Sequence, residues 1–273
     1  MIAFFSEMLS YPFMRNALFV GLIVTVTSAL LGINLVLKRY SMIGDGLSHV
    51  GFGALAIGSV MHISPLIAAI PVVTGASFLL LRMSRKAKIK GDASVALLST
   101  GALAVGVMAL SLFGQNNVDL NSYLFGSLFA MEQADVILSI VISCAALLLY
   151  VLFYNRIFAV TFDESFSAAT GIRVSFCNSL LAVLTSLTVV IGMRMMGTLL
   201  ISSLIIFPPL TAMRVCRSFR SVVIVSVCVA VVCFLSGMIL TYAFPVQPGA
   251  CVVCMNLLAF GIFSLIGKLK KRI

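Results

Sequence analysis

Asp45 and His49 are the residues of this sequence whose types and spacing point most directly to chemistry. They lie within Ser41–His62, SMIGDGLSHVGFGALAIGSVMH, which otherwise reads as a membrane span. Four residues apart on a helix, a carboxylate and an imidazole stack on one face, close enough to hold a single cation together. Imidazole nitrogen with carboxylate oxygen suits zinc, manganese or ferrous iron. An ionisable group at membrane depth is expensive; it usually faces a bundle interior or a water-filled path and marks the route of an ion or proton. The plain alternative is a helix-packing pair, with Asp45 near the inner boundary neutralised by Lys38 or Arg39. The depth of His49, near the middle of the span, weighs against that alternative. Gly44, Gly46, Gly51, Gly53 and Gly58 let backbones pack closely and leave room for a path. His62, at the far end, reads as a solvated turn residue.

The elements that position this pair follow from composition. The 273 residues are 62% hydrophobic and 10% charged, with a mean hydropathy of +1.20, whereas ordinary soluble domains carry about 45–50% apolar and about 25% charged residues. The bilayer must therefore be the solvent, and a helix needs roughly 20 apolar residues to cross it. The sequence predicts an all-α, polytopic transmembrane helical bundle of eight or nine spans, one domain over residues 1–273. The spans fall at about 13–37, 41–62, 63–81, 93–113, 134–154, 174–193, a shorter seventh after a turn at Gly192–Gly197 that meets Pro208 and Pro209, 221–244 and 250–266. Met1–Leu9 contains Glu7, lacks a basic leader and does not resemble a cleavable signal.

The net charge of +10 has a membrane explanation. With the N-terminus outside and nine alternating spans, every one of the 18 Lys and Arg except Arg15 and Arg194 falls in an inner joint or the tail, as the positive-inside rule requires. This predicts a cytoplasmic C-terminus and no nucleic-acid partner. An eight-span chain with one re-entrant segment fits the same bias. The seven cysteines are odd in number and mostly lie in apolar runs, which argues against a disulfide framework.

A second motif is Thr161–Arg173, TFDESFSAATGIR. Thr161 with Glu164 fits a capping box, Asp163 suits the positive end of a first turn, and Gly171 is placed to end the helix. Two to three turns, too short and polar to span, predict a cytoplasmic contact helix; a solvated connector is the plainer reading. The connection Gly114–Gln133 holds Asp119 and Glu132 with neither Lys nor Arg, and its middle, Val118–Met131, reads as a short interfacial or re-entrant helix. Its acidic pair either raises cation concentration at an entrance or is ordinary solvated loop. Cys251 and Cys254, spaced CxxC, and Met193, Met195 and Met196 have the types of soft metal ligands, but in apolar runs they read first as packing residues. A nucleotide motor is not legible: Gly261–Leu269, GIFSLIGKL, has five residues between its glycines where a phosphate loop needs four, and Leu where it needs Ser or Thr. Uphill transport then requires a partner chain or an ion gradient.

Four ordered blocks, GDGLSHVGFGALAIG (Gly44–Gly58), VDLNSYLFG (Val118–Gly126), FDESFSAATGI (Phe162–Ile172) and GTLLISSLIIFPPLTA (Gly197–Ala212), resemble in order and spacing those of the zinc/manganese/iron ABC-importer permease family. The likeness covers nearly the whole chain. It implies a type II ABC-importer-like permease in a bacterial inner membrane, a homodimer, driven by cytoplasmic ATPase subunits that use the ATP and fed by an extracytoplasmic metal-binding protein. It implies a transport subunit with no enzymatic activity and no permanently bound cofactor. Asp45 and His49 match the acidic and histidine positions of the family's GDxLSH block, which look like a metal-coordinating or gating pair. Phe162–Ile172 matches the coupling helix that docks on the ATPase, so the resemblance gives Asp163, Glu164, Ser165, Ala168 and Gly171 to that contact. The chain departs from the family at Pro208–Pro209, where a single Pro is common, and at Gln247–Ala250, where Pro-Thr-Gly-Ala is common. The rival readings are a gradient-driven transporter with Asp45 and His49 as a proton relay, and, more weakly, a membrane enzyme, for which a fuller catalytic set is lacking.

Overall fold

The computed structural model describes residues 10–86, 91–113, 126, 133–244 and 246–270. The described chain is helical throughout: α1 (Pro12–Leu37), α2 (Ser41–Val60), α3 (Pro65–Lys86), α4 (Gly91–Phe113), α5 (Gln133–Leu152), α6 (Tyr154–Phe162), α7 (Glu164–Ala169), α8 (Val174–Met196), α9 (Thr198–Val215), α10 (Phe219–Ala243) and α11 (Pro248–Lys270). Seven of these are long and apolar enough to cross a membrane alone, and α5 with α6, bent by 68°, make an eighth. The remaining long helix is α2, whose hydropathy is diluted by Asp45, His49, glycines and serines. Neighbours enclose much of it: Leu47 and Leu55 are fully buried.

Local sequence sets the ends. Pro12, Pro65 and Pro248 open their helices, where the missing N–H costs nothing. Ser218 caps α10 by accepting from the Ser221 amide. The structure moves several expected boundaries. The third span starts at Pro65 and runs on through Leu81 to Lys86, since Arg82 and Lys86 are good helix formers that can lie beyond the lipid. No turn forms at Gly192, which is buried inside α8; the chain breaks at Gly197, with φ 85° and ψ 161°, backbone that only glycine adopts cheaply.

Helices meet where side chains are small. Gly53 of α2 faces the backbone of Ala102 in α4, and Gly106 of α4 faces the Gly53 Cα; a Cβ on Gly53 would stand 2.5 Å from the Ala102 carbonyl oxygen. The α1–α9 crossing is closer still. Pro209 has no N–H to donate, which leaves the Ile205 carbonyl without its intrahelical partner. That oxygen abuts Gly32, where a Cβ would stand 2.0 Å from it.

Both joints of α2 are tight. At the end of α1, Arg39 donates to the Val36 carbonyl and Tyr40 to that of Leu35; after α2, His62 donates to Ser59 and Ile63 to Gly58. These are Schellman closures, made with Arg39 (φ 61°) and His62 (φ 54°) at the left-handed position glycine usually takes. Side chains such as Leu112, Phe113, Leu148, Val232 and Leu265 point outward and are exposed, as a lipid-facing surface demands.

Candidate metal path

Asp45 and His49 occupy successive turns of α2 and line one cavity of about 390 Å³ with Thr198, Ser202, Ser203 and Phe207 of α9 and Val253 of α11. Helix α9 reaches α2 here because the Gly32 crossing draws its backbone inward and Gly44 of α2 receives the Ile205 side chain. His49 Nε2 stands 3.8 Å from Asp45 Oδ2, too far for a hydrogen bond. Ser202 Oγ lies 3.0 Å from Asp45 Oδ1 and 2.8 Å from its own helix's Thr198 carbonyl, so its single proton serves one acceptor at a time. Ser48 Oγ donates to the Asp45 carbonyl at 2.7 Å and stands 3.4 Å from Ser202 Oγ. His49 Nδ1 is buried and has no hydrogen-bond partner among the described residues.

The donor set fits a divalent cation as cargo. Two ligands at about 2.1 Å in tetrahedral geometry stand about 3.4 Å apart, so the observed 3.8 Å gap closes on a metal with a shift of about 0.4 Å. Two side chains do not complete a coordination sphere, and among the described residues no three of His, Cys, Asp or Glu converge. A site with two strong ligands, a nearby hydroxyl and an open side holds an ion loosely, which suits passage better than storage. The side chain of Asp45 is 42% exposed and that of His49 28%, on a helix whose glycines, Leu47 and Leu55 are buried.

The hydroxyls of Ser48 and Ser202 are site neighbours that sequence reasoning missed. Their only signal is position: Ser48 sits beside His49, and Thr198 and Ser202 are one turn apart just after Gly197. The Lys38 ammonium, one of the two cations that the plain alternative set against Asp45, pairs with Glu164 at 2.9 Å. His62 is exposed in the turn after α2, as its position predicted. Met193, Met195 and Met196 are buried, and Met193 packs on Gly51. Cys251 is half-buried and Cys254 exposed. Asp119 and Glu132 lie outside the described residues, as does the Val118–Met131 stretch apart from Gly126.

Beyond the bend at Phe153, α6 leads into α7. Its cap differs from the capping box expected at Thr161. Asp163 is the N-cap, in extended conformation, its carboxylate accepting from the Phe166 amide at 2.9 Å. Thr161 stays in the last turn of α6, its hydroxyl 3.1 Å from Asn34 Oδ1 and 2.7 Å from the Ile157 carbonyl. Because α6 continues through Thr161 to Phe162, the cap falls to Asp163. Gly171, φ 83°, closes α7 as expected: its amide donates to Ala168 and that of Ile172 to Ser167. The helix is six residues, shorter than the two to three turns predicted. Asp163, Glu164, Ser165, Ala168 and Gly171 are all exposed residues, joined by Phe162 at 61% and Phe166 at 65%. Glu164 also turns inward, accepting from Lys38 and from Asn178 Nδ2 at 3.0 Å.

Comparison with known proteins agrees with this architecture. The chain is 27% identical over 250 residues to the "Manganese import system permease protein ScaB" of Streptococcus gordonii, covering 92% of this chain and 90% of that one. It is 29% identical over 273 residues to the "Probable iron transport system membrane protein" of Haemophilus influenzae, covering 97% and 98%. Its fold superposes on a chain of "PsaBC from Streptococcus pneumoniae in complex with Fab" with a TM-score of 0.86 at 27% identity, covering 99% of this chain and 100% of that one. Residues 10–267 match the ABC 3 transport family, and with nearly the whole chain so matched, this multi-pass membrane protein belongs to that family, the permeases of metal ABC transporters.

Proposed function

We propose that the chain carries a divalent transition metal (manganese, iron or zinc) into a bacterial cell through the cavity at Asp45 and His49, working as a homodimer powered by cytoplasmic ATPase subunits. The observation that carries this reading is the convergence of a carboxylate and an imidazole on one cavity inside a membrane bundle. The names of the Streptococcus gordonii and Haemophilus influenzae relatives favour manganese or iron.

The partial exposure of the pair supports the dimer. A carboxylate facing acyl chains is costly, whereas a second copy packed over the open side of the cavity shields it and brings a second Asp45 and His49. Two oxygens and two nitrogens then surround the passing ion. An extracytoplasmic metal-binding protein delivers it from outside. On the cytoplasmic side, α7 with Asp163, Glu164, Ser165, Ala168 and Gly171, edged by Phe162 and Phe166, docks on the ATPase. ATP-driven closure there alternates access at the cavity. The run of basic residues in the inner joints supports a cytoplasmic C-terminus and an N-terminus outside.

Co-purification and uptake test this together. In mild detergent the chain should bring down a stoichiometric nucleotide-binding partner; its absence favours a gradient-driven carrier. Asp45→Ala and His49→Ala should each abolish manganese accumulation while the ATPase remains bound. Normal accumulation in both variants removes the pair from the path.

A further inference from the structure

The geometry points to Lys38, with Glu164 and Asn178, as a positioning group that transmits movement of α7 to the Asp45–His49 pair, a role that rests on the transport reading above. Lys38 is the C-cap of α1, and its side chain is 8% exposed. An ammonium withdrawn from water that far needs partners to replace the water. Two come from separate elements. Its Nζ donates to Glu164 Oε1, on the first residue of α7, at 2.9 Å, and to Asn178 Oδ1 in α8. Asn178 Nδ2 closes the triangle by donating to the same Glu164 oxygen at 3.0 Å. These are charge-assisted contacts, the strong kind, and they fix direction as well as distance.

The far side of Lys38 leads to the metal pair. Lys38, Arg39 and Tyr40 donate to the carbonyls of Asn34, Val36 and Leu35, and α2 begins at Ser41. This joint has no slack to absorb a displacement of Lys38, and Asp45 follows one helical turn into α2. One turn back along α1, Asn34 Nδ2 donates to the Tyr150 hydroxyl at 2.8 Å while its Oδ1 accepts from Thr161. The inner end of α1 thus grips α5, α6, α7 and α8 through two polar residues four apart. Along the chain, Lys38 and Glu164 are 126 residues apart; through the ion pair, α7 and the start of α2 move as one body. A push on α7 reaches Asp45 by this route without bending any helix.

The test uses the full complex, with ATPase and binding protein, in proteoliposomes, reading ATP hydrolysed and manganese imported in the same vesicles. Lys38→Met removes the charge and keeps the length of the stem. The expected result is continued hydrolysis with the ratio of ATP to manganese raised about tenfold, the size of an ordinary coupling energy. Lys38→Arg keeps the charge and should hold the ratio near that of the wild type, which a loss of charge-independent packing does not predict. Should Lys38→Met fail to assemble, Asn178→Ala, which leaves the docking face of α7 intact, decides by itself: a raised ratio supports the role and an unchanged ratio overturns it. An unchanged ratio in Lys38→Met overturns this role alone, whereas a wild-type complex with no ATP-driven uptake overturns the transport reading with it.

Discussion

Gly32→Ala probes the crossing on which the cavity depends. The new Cβ would stand 2.0 Å from the Ile205 carbonyl oxygen and 2.9 Å from its carbon, against a carbon–oxygen contact of about 3.3 Å at its closest. The obstacle is main chain, so no rotamer change relieves it, and α1 and α9 must part by about 1.3 Å. Overpacking of this kind costs about 1–3 kcal/mol, while removing a helical glycine returns about 0.5–1 kcal/mol. Because backbone cannot yield, the net loss should sit near 2 kcal/mol. Ser202 is less than one turn from Ile205, and a displacement of that size carries its hydroxyl from 3.0 Å to beyond hydrogen-bond reach of Asp45. Thermal unfolding of the purified complex in detergent and manganese uptake in vesicles read the two effects. Gly101→Ala is the control: nothing lies within 4 Å of its Cβ position on exposed α4, so that variant should be neutral or slightly more stable. Equal unfolding temperatures and equal uptake for the two variants would refute the account of the crossing.

Ser202→Ala removes one donor to the ionised Asp45, a contact worth about 1.5 kcal/mol at the low end for a charged acceptor, and should weaken manganese binding roughly tenfold without loss of assembly; unchanged affinity by calorimetry removes the serine from the site. Asp163→Ala takes the cap from α7 at a cost of about 1 kcal/mol and should loosen ATPase association, with Asp163→Asn restoring it; equal retention of the ATPase by all three forms argues that the cap is idle. Acidification should slow uptake, because a metal needs Asp45 ionised and a free nitrogen on His49, and protons compete for both. Uptake rates that stay level as the external and internal pH are lowered together would place the metal on other ligands.

The helices were legible because each apolar run is long, bounded by basic joints or Pro, and must satisfy its backbone internally. Even α2, too polar for a hydropathy scan, announced itself by its flanks and by its glycine spacing. Boundaries were less legible where two local signals competed. Thr161 and Asp163 are both good caps, and the continuation of α6 through Thr161 to Phe162 leaves the cap to Asp163. Gly192 and Gly197 both offer a break, and only burial of the first inside α8 distinguishes them. The site divides the same way. Asp45 and His49 stand out because charge and imidazole are rare in such a sequence, whereas Ser48 and Ser202 are two hydroxyls among many. Ser202 meets Asp45 where α9 packs on α2 through Ile205 against Gly44, and no periodicity within α9 encodes it. Likewise Lys38 and Glu164 lie in separate joints, and their partnership exists only in the folded bundle.

The two left-handed residues that bracket α2, Arg39 and His62, make this helix a stiff lever with short, closed ends. At 1.5 Å per residue, Asp45 lies about 6 Å from the Ser41 end and His49 about 12 Å. A tilt of about 10° about that fulcrum moves the first by about 1 Å and the second by about 2 Å. The imidazole therefore travels about twice as far relative to α9 as the carboxylate does, while the spacing of the two along their own rigid helix stays fixed.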